Sequence, residues 1–209
     1  MFYSDKMDKA LRFGDVLSGY FSTTPIITEP FLEETKNYNI DVSFPIFSVV
    51  VAPCCEIRNK TISLTPLIKI RSSFLDNPYL EEDLTRVNLR LTPEQVIPPF
   101  VWEGMPPEEK QRRLEVGNQF AFLNLFVYEK HDLLPEYAIH RKGVNSKTNS
   151  YMIDFKNIHK LCCDKINSSI DAPLESKLLQ LTISTRSGLR DKIASYYGRV
   201  PKEDEVLKD

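Results

Sequence analysis

The stretch Ile46-Phe-Ser-Val-Val-Val-Ala52 constrains this chain more than any other. Its β-branched and aromatic side chains suit a packed, pleated surface better than a helix, so it reads as a buried strand. Residues 15–22, opened by Gly14-Asp15, read as a strand before it. Residues 61–70 read as a strand after it, interrupted at Pro66, where the missing N–H marks an edge or a bulge. The β pattern resumes at 120–128 and 151–155, with a weaker strand near Tyr137. Between these, 23–44 reads as a long Pro-containing loop carrying Glu29, Glu33 and Glu34. Residues 56–60 read as a hairpin turn, and 4–12 as a short helix.

Residues 72–118 break the β rhythm. Leu80-Glu-Glu-Asp-Leu84 and the stretch 106–116 read as short helices, the second with prolines where a first turn tolerates them. Phe100 and Trp102 lie between them, on an apolar, Pro-rich stretch that either packs on its own domain or offers a partner surface. The chain closes with a helix over 184–199, where Ser184 or Thr185 is the cap and Leu189, Ile193 and Tyr197 recur at helical spacing. The expected fold is mainly β with helices: one domain over 1–209, a small, strongly bent β-barrel with a helical insertion at 72–118 and a C-terminal helix.

A hydrophobic fraction of 42% supports a real core, and 14 prolines against 7 glycines favour loops of fixed geometry. No apolar run approaches the roughly 20 residues of a membrane span. The first 15 residues alternate charged with apolar side chains and lack a signal-peptide core, so the expected location is cytoplasmic. Charge is uneven: residues 1–140 carry 14 Lys+Arg against 20 Asp+Glu, residues 141–202 carry 12 against 5. A basic half suits a polyanion site, although a near-neutral total argues against coating nucleic acid non-specifically. The cysteines form two adjacent pairs, Cys54-Cys55 and Cys162-Cys163. Neighbours on a strand point to opposite faces, so neither pair suits one zinc ion, and no metal or cofactor is expected.

Phosphate loops, nucleophile elbows and zinc-helix motifs are missing from the sequence. His131, His140 and His159 stand without a paired carboxylate or nucleophile in sequence and read as surface or packing residues. The stretch 140–149 is richer. Arg141, Lys142 and Lys147 are interleaved with small polar residues that suit phosphate and base contacts, and Tyr151 follows as a stacking candidate. The alternative there is a solvated hairpin.

The order Gly14-Asp15-Val16, a long loop ending at Pro45, the strand 48–52, the polar Arg58-Asn59-Lys60 and the Thr-led strand 61–68 resembles the MazF/PemK toxin family. That resemblance implies an SH3-like barrel, often dimeric, that cuts single-stranded or ribosome-bound mRNA without metal. It implies an arginine before the proline and a threonine opening the third strand, acting together at the scissile phosphate. Thr61 and Pro45 match, whereas Ser43-Phe44 occupy the arginine's place, leaving Arg58, Lys60 or Arg71 to supply the charge. Ala52-Pro-Cys-Cys-Glu-Ile57, Met152-Ile-Asp-Phe155 and the Gly188-Leu-Arg to Gly-Arg-Val200 stretch further resemble larger MazF-like barrels of bacterial defence, such as the CalpT type associated with type III CRISPR Lon-SAVED proteases. This implies a regulatory protein partner: an antitoxin, a protease or a sigma-like factor. A non-catalytic, anti-sigma-like or adaptor module on the same barrel is the alternative.

Overall fold

The computed structural model describes residues 1–20, 22–27, 38–52, 61–76, 84–89, 99–115, 124–141, 143–162 and 177–198. The expected buried strand is β4 (Phe47–Val50), buried at every position. It is the centre of a five-stranded antiparallel sheet with β1 (Val16–Ser18), β5 (Thr61–Pro66), β11 (His159–Cys162) and β12 (Lys177–Leu179), in the order β11-β5-β4-β1-β12. β1 stops at Ser18 instead of reaching residue 22, because Gly19 and Tyr20 both take positive φ, 78° and 81°. After Pro66 the chain bends at Leu67 and continues as β6 (Ile68–Lys69), which joins β7 (Leu125–Tyr128) and β10 (Tyr151–Asp154) in a three-stranded sheet, order β6-β10-β7. The strand expected over 61–70 is thus interrupted after Pro66, and its two parts serve the two sheets; β5 itself is not an edge.

Two further pairs stand as two-stranded ribbons: β2 (Ser22–Ile27) with β3 (Tyr38–Ser43), and β8 (Tyr137–Arg141) with β9 (Val144–Thr148). The first falls where a loop was expected. Thr23, Ile27, Ile40 and Val42 favour strand strongly enough that Pro25 is tolerated within the ribbon. His159 starts β11 and is half-buried there. Residues 4–12 contain no helix; their course is set by long-range bonds described below. The fold is therefore mainly antiparallel β with helices, and the described strands do not close into one continuous barrel.

Side-chain alternation divides the interior. Phe126 and Tyr128 of β7 and Tyr151 and Ile153 of β10 face Val16, Val49, Val51 and Leu179 of the larger sheet. Leu125, Val127 and Met152 point the other way, onto Phe74, Leu84, Val87 and Trp102. The second group belongs to the stretch between β6 and β7 read from sequence as an insertion: 3-10 turns at Ser72–Asp76 and Leu84–Asn88, then α1 (Pro99–Gly104) and α2 (Pro107–Glu115). A third cluster, Leu11, Leu17, Val50, Ala52, Ile62 and Leu64, lies behind the five-stranded sheet. Gly14 (φ +86°) is where that sheet meets the C-terminal segment; a Cβ there would come 2.6 Å from Leu181 Cδ1.

The helix α3 (Ile183–Tyr197) is capped by Thr182, two or three residues before the expected caps: its hydroxyl accepts from the Thr185 N–H. Leu189 is buried, and Ile193 and Tyr196 pack beside it, while Tyr197 is exposed. The insertion is stitched to the three-stranded sheet by Asn88. Its amide donates to the Val127 carbonyl and accepts from the Val127 N–H, both at 2.6 Å, so a side chain pairs the outer edge of β7 as a neighbouring strand would. Asn88→Ala leaves both Val127 groups without those partners and is expected to cost about 2–3 kcal/mol. Urea unfolding measures this, and a loss below about 0.5 kcal/mol would refute the role of the clamp.

Candidate nucleic-acid interface

The stretch 140–149, read from sequence as a basic loop, is a β-hairpin. Ala138 pairs with Lys147 and His140 with Asn145, and all four are exposed. Ile139 and Thr148 on the opposite face are buried, which holds the ribbon against the body. The chain reverses at Gly143, whose φ of +81° suits the tight turn. A carboxamide and a lysine therefore share one solvent face with an imidazole, and His140 Nδ1 is bonded to Asn145 Oδ1. Lys147 also lies 3.7 Å from the Glu136 carboxylate, both side chains well exposed, so the pair is weak and readily exchanged for another anion. Arg141 ends β8, and Lys142 lies outside the described residues.

Tyr137 anchors this ribbon. Its hydroxyl donates to the Ser150 carbonyl and accepts from the Ile70 N–H at 2.8 Å. Burial raises its pKa well above the ordinary phenol value, so it remains a neutral bridge. The Lys69 ammonium lies 5.1 Å from the same ring. Two residues on, the Arg71 guanidinium, 46% exposed, meets Asp154 Oδ2 at 3.0 Å. The other oxygen of Asp154 accepts from Asn124 Nδ2 at 2.7 Å and from the Lys156 N–H at 3.1 Å. With both oxygens engaged, Asp154 positions Arg71 and is poorly placed to act as a base.

The remaining sequence candidates separate. Thr61, half-buried on β5, faces Cys162, with Oγ1 4.0 Å from the sulfur. It stands four residues, roughly 13 Å of strand, from Thr65, whose hydroxyl bonds the Asp154 carbonyl. Thr61 and the Arg71–Asp154 pair thus occupy different stations along the strand. Arg58 and Lys60 lie outside the described residues. Tyr151 does not offer a stacking face: it is 6% exposed, its hydroxyl donates to the Pro135 carbonyl, and its ring packs edge-on against Phe47 and Tyr137. Trp102 is 3% exposed within the insertion's core, with the Lys110 ammonium 5.9 Å from the ring, so the indole presents no partner surface. Phe100 belongs to α1.

From sequence, Lys69, Tyr137, Asn124 and Asp154 received no site role. Alternation of Ile68 and Ile70 with Lys69 and Arg71 was the available signal for the two cations; Asp154 stood only within Met152-Ile-Asp-Phe155, and nothing local marks Asn124. Among the described residues no group of three or more His, Cys, Asp and Glu could hold a metal ion, and no helix is long and apolar enough to cross a membrane. Comparison with protein-family models, curated proteins and solved structures returns no match for this chain.

Proposed function

We propose that the chain is a single-stranded-RNA effector of the MazF/PemK kind, working in a bacterial defence or toxin–antitoxin setting and built on a degenerate SH3-like barrel. The exposed face of the β8–β9 ribbon carries this reading. It presents Lys147, His140 and Asn145 together, next to Arg141 and Lys142 in sequence, and Tyr137 joins it to Lys69 and the segment bearing Arg71. Cations spaced along a ribbon grip phosphates, while the amide and imidazole meet base edges. For metal-independent cleavage, Arg71 is the cation best supported from its side: a guanidinium held by a fixed carboxylate can offset charge on a phosphorane. Thr61 acts there only if the RNA spans both stations.

The test is cleavage and binding of naked mRNA and translating ribosomes in chelator, with new 5′ ends mapped. Replacing Arg141, Lys142 and Lys147 together by alanine is expected to lower the slope of log affinity against log salt by about 2. Arg71→Ala is expected to abolish cuts while leaving binding largely intact. Unchanged salt dependence in the triple variant removes the ribbon from the reading, and undiminished cutting in Arg71→Ala removes Arg71. A protein-binding module is the second reading, favoured by one observation: Ile40, Val42, Phe44 and Ile46 are 57, 45, 78 and 74% exposed along a single stretch of chain.

A further inference from the structure

Four large apolar side chains exposed at every second residue along one stretch are unusual, because each forfeits its burial energy. The first two lie on β3, which also exposes Asp41 and Ser43, so the described part of this strand is open to solvent on both faces. The ribbon pairs Pro25 with Ile40, Thr23 with Val42 and Ile27 with Tyr38. Proline has no N–H, so a ladder that loses no bond places Pro25–Ile40 among the pairs whose amides point away from each other. The outward N–H and C=O groups of β3 then belong to Tyr38, Ile40 and Val42. The outer edge of β2 is interrupted by Pro25; β3 contains no proline, and among the described residues no further strand pairs with it. Natural edge strands are usually guarded by charge or proline, and β3 has Asp41 alone.

From this we infer that β3 is a docking edge for an extended segment of a partner protein, added as a third strand to the ribbon, whose side chains alternate between apolar and Lys or Arg. The alternation follows from the two faces. On one, the incoming strand meets Ile40 and Val42 and continues toward Phe44 and Ile46. On the other it meets Asp41, within a stretch (residues 22–46) that carries four acidic residues and one lysine. Main-chain bonds to the edge supply affinity, and the alternating side chains supply selection. A second copy of this chain fits less well. An antiparallel register that packs Ile40 of one copy on Val42 of the other sets the two Asp41 carboxylates directly opposite each other, which is repulsive.

The probe is an octapeptide alternating lysine with valine and isoleucine, compared with its glutamate-for-lysine counterpart by fluorescence anisotropy and hydrogen exchange on the full chain. The lysine peptide is expected to bind at least about ten-fold tighter and to slow exchange at the Tyr38, Ile40 and Val42 amides. Asp41→Lys is expected to reverse the preference, and Ile40→Asp with Val42→Asp to abolish binding; thermal melts establish that these surface variants remain folded. Equal affinity for both peptides, or protection that bypasses those three amides, overturns the proposal. Concentration-dependent self-association lost in the Asp variants would overturn it in favour of a second copy. The result is independent of the RNA reading, which rests on the other ribbon.

Discussion

Lys177→Ala is expected to cost about 3–5 kcal/mol, the range found when one member of a buried ion pair is removed. The Lys177 and Asp15 side chains are 1% and 0% exposed, with Nζ 2.6 Å from Asp15 Oδ2. The ammonium also donates to the Ala10 carbonyl (2.9 Å), the Gln180 side-chain oxygen (2.9 Å) and the Asp8 carbonyl (3.1 Å). Gln180 in turn accepts from the Asp8 N–H, and Asp15 from the Arg12 N–H, both at 2.7 Å. One cation therefore ties residues 8–15 to the edge strand β12. Burial pushes the Asp15 carboxyl up to about 6 despite Lys177, so it is ionised at neutral pH. Removing the lysine then leaves a buried anion, three acceptors and a leader segment without their anchor. For a chain of this size the loss corresponds to a melting temperature lower by roughly 10 °C. The double change Lys177→Met with Asp15→Leu is expected to lose less than Lys177→Ala, because no unpaired charge remains. If the double variant is as unstable as the sum of its parts, the pair is not what holds the leader.

That clamp also shows where reading the sequence stops. The run 46–52 announced a buried strand because its signal is local: a stiff, apolar side chain at nearly every position. The interruption at Pro66 and the terminal helix were legible from local signals too, a missing N–H in one and helical spacing in the other. Lys177 was not, since three of its four partners, Asp8, Ala10 and Asp15, lie more than 160 residues earlier and a lysine in isolation reads as surface. The apolar stripe of β3 was hidden by Pro25 and the acidic residues around it, which suggested a loop. The site was half legible. The basic residues of 140–149 stood out, whereas the structure spent two of the three aromatic candidates, Trp102 and Tyr151, on core packing. A large aromatic next to charged residues looks the same in sequence whether its face is open or buried.

Lys192 yields a prediction in the opposite pH direction from ordinary acid lability. It lies on α3, 5% exposed, and its ammonium donates to the Val87 carbonyl of the insertion. Burial lowers its pKa from 10.5 to about 7. Between those values the unfolded chain holds a proton that the folded chain has shed, so stability rises with pH, by up to about 1.4 kcal/mol per unit and about 4–5 kcal/mol over the whole window. Among the described residues, no other group with a shifted pKa titrates between pH 7 and 9.5. Asp15, with its carboxyl raised to about 6, contributes between 3.8 and 6, where stability falls as pH rises. The buried tyrosines Tyr3, Tyr128 and Tyr137, all raised by burial, lower stability only as the unfolded phenols ionise near pH 10. Urea unfolding at pH 7.0, 8.5 and 9.5 should therefore show a climbing midpoint for the natural chain. In Lys192→Met the climb should vanish. That variant should be more stable by about 1–3 kcal/mol at pH 7, where an apolar chain replaces a partly charged one, and should lose this advantage by pH 9.5. A flat profile in the natural chain would mean that Lys192 remains charged in the fold, and the packing of α3 against the insertion would then need a route to water for its ammonium.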